Sequence, residues 1–598
     1  MPGERIYEDL TLVRRRAAAA FWAVAALTIL ALAAYWKIQI LENRKYEEMA
    51  EANRSRMRVL PAPRGLIRDR NGEILADNKA AFTVSLIREN MRDEAASYAA
   101  VGRLLGIGEA TVRERVALHR NLRLFEPIVI ADGLEAFDVA PIESRRLEFP
   151  EVVVDSEPQR FYPGGDLAAH VLGYLQEPTP EEIKARPEWP VRPGEMVGKT
   201  GIERVYDDIL RGDDGSVYET VDSLGRVREE TGRVYPVQGD DVVLTLDRGL
   251  QIEAEQALRG REGVIVALDA ATGGVLALAS YPTYDPNRFI TRFTADEWRQ
   301  LTDDPLAPLE NRAIRGLYAP GSIFKLVMGL GGLDSGAVTR GTTVFCSGAT
   351  RIYGDVRHCW FAPGHGALDL VGAIKNSCNI YFYALGRELG IDLIAGAASR
   401  LGLGRRTGID LDGEKEGLVP STAWKREALG EPWYPGETIS VSIGQGQLQA
   451  TPIQIAAMTA LIARRGSPVR PHLGPDDKSG PVGPGPRSAF AAEDLETVIE
   501  GMWRSVNDGG TGQGARVDGF DVCGKTGSTQ TVSRASAERL AEAGREIKTH
   551  SWFSGFAPRN EPRVVVTVLV EYGGGGGATA APVAGRIFDR FRQEAARR

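Results

Sequence analysis

The segment Ala17–Trp36 (AAAAFWAVAALTILALAAYW) runs for twenty residues without a charge or a proline. At 1.5 Å per residue that is about 30 Å of helix, the thickness of a bilayer's hydrocarbon core. Arg14-Arg15-Arg16 precedes it, and Trp22, Tyr35 and Trp36 are placed as interface anchors. Basic flanks favour the cytoplasmic side. The pattern predicts a cytoplasmic tail over 1–16, a transmembrane anchor over 17–38, and everything beyond on the outer side of the membrane. The alternative is a cleaved signal peptide. Its apolar core usually spans only about 7–15 residues, and no small-residue cleavage site follows Trp36. No second such stretch occurs, so a single-pass protein is expected.

The remaining chain is too long for one core, with 598 residues in all. At 43% hydrophobic and 25% charged it has a globular composition rather than a disordered one. The net charge of −8 is spread in both signs, which predicts no nucleic-acid partner. Glu42 to Arg58 is charged and helix-compatible, a candidate stalk. RGLIRDRNGEILADNKAAFTVSL then reads as strand, Asn71-Gly72 turn, strand. Residues 91 to 125 read as helical. Residues 39–240 are expected to form a pedestal.

Near residue 240 the texture changes. GVIVALDAATGGVLALASYP predicts a hairpin in the middle of an antiparallel sheet. Helical patterns follow from 320 to 400 and from 450 to 463. The Pro/Gly run 466–488 reads as an excursion, and strands resume with GFDVCGKTGSTQT, HSWFSGFAP and RVVVTVLVEYG. Strands, then helices, then strands imply an α+β domain with one sheet over 241–598.

Three short motifs in this second domain carry chemistry: Ser322-Ile323-Phe324-Lys325, Ser377-Cys378-Asn379 and Lys525-Thr526-Gly527. Their order and spacing match the Ser-x-x-Lys, Ser-x-Asn, Lys-Thr-Gly set of serine acyl-transfer enzymes. Ser322 follows a Pro-Gly turn, and Lys325 lies one helical turn on. A serine hydroxyl needs a base to become a nucleophile. The positive end of a helix, burial and a second cation all disfavour a charged ammonium on Lys325. A bare N-cap role for Ser322 is the alternative, but a capping box asks for Glu or Gln where this chain has Lys. Ser377 is placed to relay a proton and Asn379 to bind an amide. Lys525 and Thr526 suit a carboxylate, Gly527 leaves room for a close backbone, and the N–H groups of Ser322 and Ser528 suit an oxyanion. Ser505-Val506-Asn507 and Lys199-Thr200-Gly201 repeat two motifs and read as a helix end and a turn.

Three of the four cysteines and one histidine have the spacing Cys346-x12-Cys359-x5-His365-x12-Cys378. Such a set suits a tetrahedral, structural Zn2+. A Cys346–Cys359 disulfide and plain buried thiols are the alternatives, and His358 is an alternative ligand. Cys523 alternates with apolar neighbours and is expected in the core.

With RGLIRDRNGEILADN, GKTGIERVYDDILRG, NRAIRGLYAPGSIFK, SIGQGQLQATPIQ and GKTGSTQ, nearly the whole chain resembles the class B penicillin-binding proteins, most closely their elongation-specific branch. The resemblance implies a penicillin-binding, serine β-lactamase-like transpeptidase domain on a dimerisation-type pedestal. It implies a serine acyl-enzyme that cross-links peptidoglycan stem peptides in the periplasm and is acylated by β-lactams. Some members carry a metal site in this region; none is required for catalysis. Implied partners are the membrane, a RodA-type glycosyltransferase and other rod-complex proteins. The septal branch shares the motifs, and a β-lactam sensor or scaffold would retain them. Ser528-Thr529 departs from the usual Thr-Ala.

Overall fold

The computed structural model describes residues 10–46, 55–122, 124, 126–185, 195–222, 227–290, 293–475, 490–530 and 549–597. The apolar segment is helical from Leu10 to Trp36 and continues in a π turn, Lys37–Leu41. It is the one described helix long and apolar enough to cross a membrane.

The chain forms two compact units, neither contiguous in sequence. The first takes residues 1–62, 80–158 and 213–237; the second takes 63–79, 159–212 and 238–598. In the first unit the end of strand Ile74–Ile87 pairs with Pro127–Leu134. Helices Glu94–Leu104 and Glu109–Leu118 bury Val101, Val112 and Val116 in one core with Val84, Leu86, Ile128 and Ile130. Asp93 caps the first of these helices by accepting from Ala96 N. The stalk expected up to Arg58 gives way to a strand, Ser55–Leu60. It pairs antiparallel with Gly215–Val221, which supplies ladder partners that a lone stalk helix would lack.

The boundary expected at residue 240 marks a change in sequence texture rather than in packing. Residues 63–79 and 159–212 belong to the second unit: Val242 pairs with Ile67, Tyr206 donates to Asp410 at 2.8 Å and Gly201 N to Asp412 at 3.0 Å, and a buried ion network ties the two segments to each other. Glu203 accepts from Arg160 Nε at 2.6 Å, from Arg64 Nη2 at 2.9 Å and from the Tyr162 hydroxyl at 3.1 Å, and Arg64 also donates to Asp207 at 3.0 Å.

The second unit is built on five antiparallel strands: β1 (Gly263–Asp269), β2 (Val275–Tyr281), β3 (Cys523–Thr529), β4 (His550–Ala557) and β5 (Val564–Val570), in the order β2-β1-β5-β4-β3. The β1–β2 hairpin therefore forms one edge of the sheet, not its middle. Its neighbour β5 arrives from the far end of the chain, a pairing that local pattern does not encode. Both faces are covered, so β1, β2 and β5 are near-continuous apolar runs. Val564, Val566, Val568 and Val570 pack with Leu250, Leu258, Ile587 and Phe588, from helices Arg248–Leu258 and Ala580–Arg597. Val565 and Leu569 face the opposite way, into the core of the middle helices. Those helices are α1 (Lys325–Asp334), α2 (Leu370–Lys375), α3 (Asn379–Arg400), α4 (Pro452–Ala463) and α5 (Ala492–Asn507). Of the Pro/Gly run 466–488, residues 476–488 lie outside the described residues.

Candidate active site

All three motifs converge on one cleft of about 1130 Å³ at the β3 edge, lined by Ser322, Ser377, Asn379, Thr526, Gly527 and Ser528 among others. Ser322 sits in a 3-10 turn, Gly321–Phe324, that runs straight into α1. The turn is pressed against its neighbours by backbone approaches only glycine permits. Gly321 holds φ +56°, and Gly321 N donates to Gly444 O at 2.9 Å. A Cβ on Gly527 would meet Pro320 O and Trp552 Cβ, each at 3.0 Å. The expected clearance at Gly527 is thus what lets β3 lie beside the Ser322 turn. Trp552 Nε1 steadies the approach by donating to Ala319 O at 3.1 Å.

Lys325 is fully buried beneath the cleft. Its Nζ donates to Ser377 O at 2.8 Å and to Asn379 Oδ1 at 2.7 Å, and lies 3.2 Å from Ser377 Oγ. All three are neutral oxygens. Burial pushes the Lys325 amine down to about 7, against the opposing pull of Cys378 and Cys359. Ser377 sits at φ +53°, in the left-handed region, between α2 and α3. A serine held there stores strain, and this turn aims both its carbonyl and its hydroxyl at one amine.

Lys525 is also fully buried on β3 and donates from Nζ to Thr526 O at 2.9 Å. Burial, then the proximity of Lys325, hold its pKa far below the ordinary lysine value. Thr526 Oγ1 donates to Thr511 Oγ1 at 2.8 Å. Ser528 is exposed on the strand and its hydroxyl accepts from Gly576 N at 3.0 Å.

Residues 263–589 match the family described as penicillin binding protein transpeptidase domain, and residues 59–244 match the penicillin-binding protein dimerisation domain. The chain is 35% identical to the peptidoglycan D,D-transpeptidase MrdA of Acinetobacter baumannii, over 98% of this chain and 89% of that protein.

The chain belongs to the class B penicillin-binding proteins.

Solved structures of the family agree with that placement. A complex between penicillin-binding protein PBP2 and MreC from Helicobacter pylori matches with TM-score 0.79 and 29% identity, covering 90% of this chain and 99% of that one. A structure titled for coordination of polymerization and crosslinking by a peptidoglycan synthase complex matches with TM-score 0.73 and 33% identity, over 97% and 98%.

This class B penicillin-binding protein also brings cleft residues that sequence reading missed: Thr511, Arg357, Trp360 and Gly575 to Gly577. Glycine clusters such as Gly509-Gly510-Thr511-Gly512 and Gly573–Gly577 mark turns and loops, but nothing local says where they dock. The two motif look-alikes lie elsewhere. Lys199-Thr200-Gly201 opens the short helix Gly201–Val205, with Lys199 paired to Glu182. Asn507 ends α5 and bridges it to Val522 O at 2.8 Å. Cys523 is buried in the core.

The sulfurs of Cys346, Cys359 and Cys378 and a ring nitrogen of His365 lie within 4.8 Å of one another. No disulfide joins these cysteines. His365 Nδ1 is 3.6 Å from both Cys346 Sγ and Cys359 Sγ. Zinc bonds of about 2.3 Å to sulfur and about 2.0 Å to nitrogen, opened at a tetrahedral angle, give a sulfur–nitrogen edge of about 3.5 Å. The cluster therefore fits a four-coordinate ion. His358, the alternative ligand, is outside it and instead accepts on its backbone O from Asn379 Nδ2 at 3.4 Å. A hydrogen bond from Cys378 pushes the Cys359 thiol down to about 4 and raises Cys378, so the pair gives up its first proton readily.

Proposed function

We propose that Ser322 is the acylated nucleophile of this protein, with Lys325 as its base. The chain is a peptidoglycan D,D-transpeptidase of the elongation type, a serine acyltransferase. The Ser322 hydroxyl adds to the carbonyl of the penultimate D-Ala of a stem peptide, and its proton passes to Lys325. The N–H groups of Ser322 and Ser528 hold the oxyanion. As the tetrahedral adduct collapses, Ser377 carries a proton to the departing D-Ala amine, leaving an ester on Ser322. An amine of a neighbouring strand attacks that ester and takes the acyl group, forming the cross-link and restoring the hydroxyl. Asn379 binds the donor's backbone amide. Lys525 and Thr526 hold the terminal carboxylate before it leaves, and Gly527 admits the peptide to the β3 edge. β-Lactams acylate the same serine.

One observation carries this reading: a buried amine, free of carboxylates and tuned to about 7, sits on Ser377 and Asn379 under the cleft that Ser322 lines. Membranes labelled with fluorescent penicillin are expected to give a band lost in Ser322→Ala, and mass mapping to place the adduct on the Ser322 peptide. An unlabelled wild type ends the proposal.

The same reading extends to the surroundings. The domain ranges 1–16, 17–38, 39–240 and 241–598 describe the order of parts along the chain, with the N-terminus cytoplasmic and the catalytic part periplasmic. A RodA-type glycosyltransferase and an MreC-like rod-complex protein are the partners. The related solved complexes, one of PBP2 with MreC and one a peptidoglycan synthase complex, support an MreC-like partner and a synthase partner. Cys346, Cys359, His365 and Cys378 hold a structural Zn2+; with four protein ligands it has no open position. Bound there, zinc would fix Cys378 and with it the turn that presents Ser377 and Asn379. Metal analysis is expected to give about one ion per chain, lost in Cys359→Ser; metal-free wild type removes the zinc.

A further inference from the structure

The Ser322 turn and the Lys525 strand leave part of the cleft wall unaccounted for. The hairpin of strands Ala349–Ile352 and Asp355–His358 runs into Cys359, and Arg357, Cys359 and Trp360 all line the cleft. Asn379 reaches this wall through the His358 carbonyl. Trp360 leaves more than half of its surface exposed, yet its indole N–H is fixed on Asn376 O at 3.0 Å. The ring is thus an oriented apolar platform rather than a loose side chain.

Among the described residues Arg357 is the only Arg or Lys that lines the cleft, and no Asp or Glu lines it. Its Nε is shielded from solvent and has no hydrogen-bond partner. Its Nη2 touches only Asp355, 3.3 Å away and largely in water, a pairing of little strength. A guanidinium with a shielded, unused donor beside a cleft is a fork waiting for a carboxylate.

We propose that Arg357 recognises a side-arm carboxylate on the donor stem peptide, on the residue that precedes D-Ala-D-Ala, with Trp360 supporting the arm's methylenes. The inference rests on the transpeptidase reading above. Asn379 takes the amide on the N-terminal side of the bond that opens, and the next residue back lies towards the wall that Asn379 touches. The terminal carboxylate goes to Lys525 and Thr526, so Arg357 serves a second, different carboxylate.

The test uses the full chain in detergent and two synthetic pentapeptides ending in D-Ala-D-Ala. They differ only at the third residue, meso-diaminopimelate with its side-arm carboxylate free or as the primary amide. Wild type is expected to release D-Ala from the free acid with a kcat/KM roughly tenfold to a hundredfold above that of the amide, the size of one charged hydrogen bond. The difference should lie in KM. Arg357→Gln should lose the preference by weakening the free acid alone, and Arg357→Lys should restore part of it. Benzylpenicillin acylation, followed in parallel, reports the Ser322 chemistry. If wild type is acylated by penicillin and treats both peptides alike, the Arg357 inference is wrong and the transpeptidase reading stands. If neither penicillin nor either peptide acylates Ser322, both fall. The wild-type comparison decides even where a variant fails to fold.

Discussion

Among the buried cations of the second unit, two groups are treated in opposite ways. Around Glu203, every buried charge is answered. Arg160 and Arg64 meet Glu203 at 2.6 and 2.9 Å, and Asp207 takes a further bond from Arg64. Under the cleft, Lys325 and Lys525 are equally buried, but they donate to carbonyl, hydroxyl and amide oxygens. The first arrangement keeps every group charged and serves as a joint between distant segments. The second makes charge expensive, and a lysine that sheds its proton near neutrality has the property a general base requires. Burial alone does not distinguish structure from chemistry; the identity of the neighbouring oxygens does.

The contrast breaks most sharply at Lys325. Lys325→Met is expected to slow penicillin acylation roughly a hundredfold to ten-thousandfold, while the melting temperature holds. Lys325→Arg should fail as badly, because a guanidinium stays charged. Stopped-flow acylation beside a thermal melt checks both. Next in size, Glu203→Ala should cost about 3–5 kcal/mol of stability by leaving Arg160 buried without its carboxylate and Arg64 with Asp207 alone. Acylation per folded molecule should not change; a loss of rate without a loss of stability would merge the two regions into one.

The smallest effect is a difference in pH response. Only neutral Lys325 accepts a proton, so acylation should rise about tenfold per pH unit up to about 7 and flatten above it. The joint responds at the acid end. Burial pushes the Glu203 carboxyl up, but Arg160 and Arg64 outweigh it and hold it below the ordinary carboxylate value. Its folded pKa is depressed, so its contribution is present above the unfolded pKa and lost as pH falls through the folded one. Stability from this network should therefore hold down to about pH 4.5 and fall only below it.

How much of this was legible from residues alone follows the same division. Ser322, Lys325, Ser377, Asn379 and the Lys525 strand were readable because each motif is local: a turn, a helical step, a strand. Zinc-type spacing among Cys346, Cys359, His365 and Cys378 was readable too, though not which histidine belongs. Arg357, Trp360 and Thr511 were not, since they reach the cleft only through pairings between distant segments. The edge position of the β1–β2 hairpin and the transfer of 63–79 and 159–212 to the second unit were hidden for the same reason. Sheet order depends on which strand outcompetes another, and the Glu203 joint needs partners more than a hundred residues apart. Periodicity carries no record of either.

The left-handed backbone at Ser377 narrows what natural variation can do there. Threonine would preserve the hydroxyl, but a β-branched residue at φ near +53° is a conformational outlier. Glycine, asparagine and aspartate tolerate that backbone and lack the hydroxyl. A bacterium under antibiotic pressure has few substitutions at this turn that spare its own wall synthesis, so drug escape is more accessible to the neighbouring walls of the pocket than to the hinge beneath them.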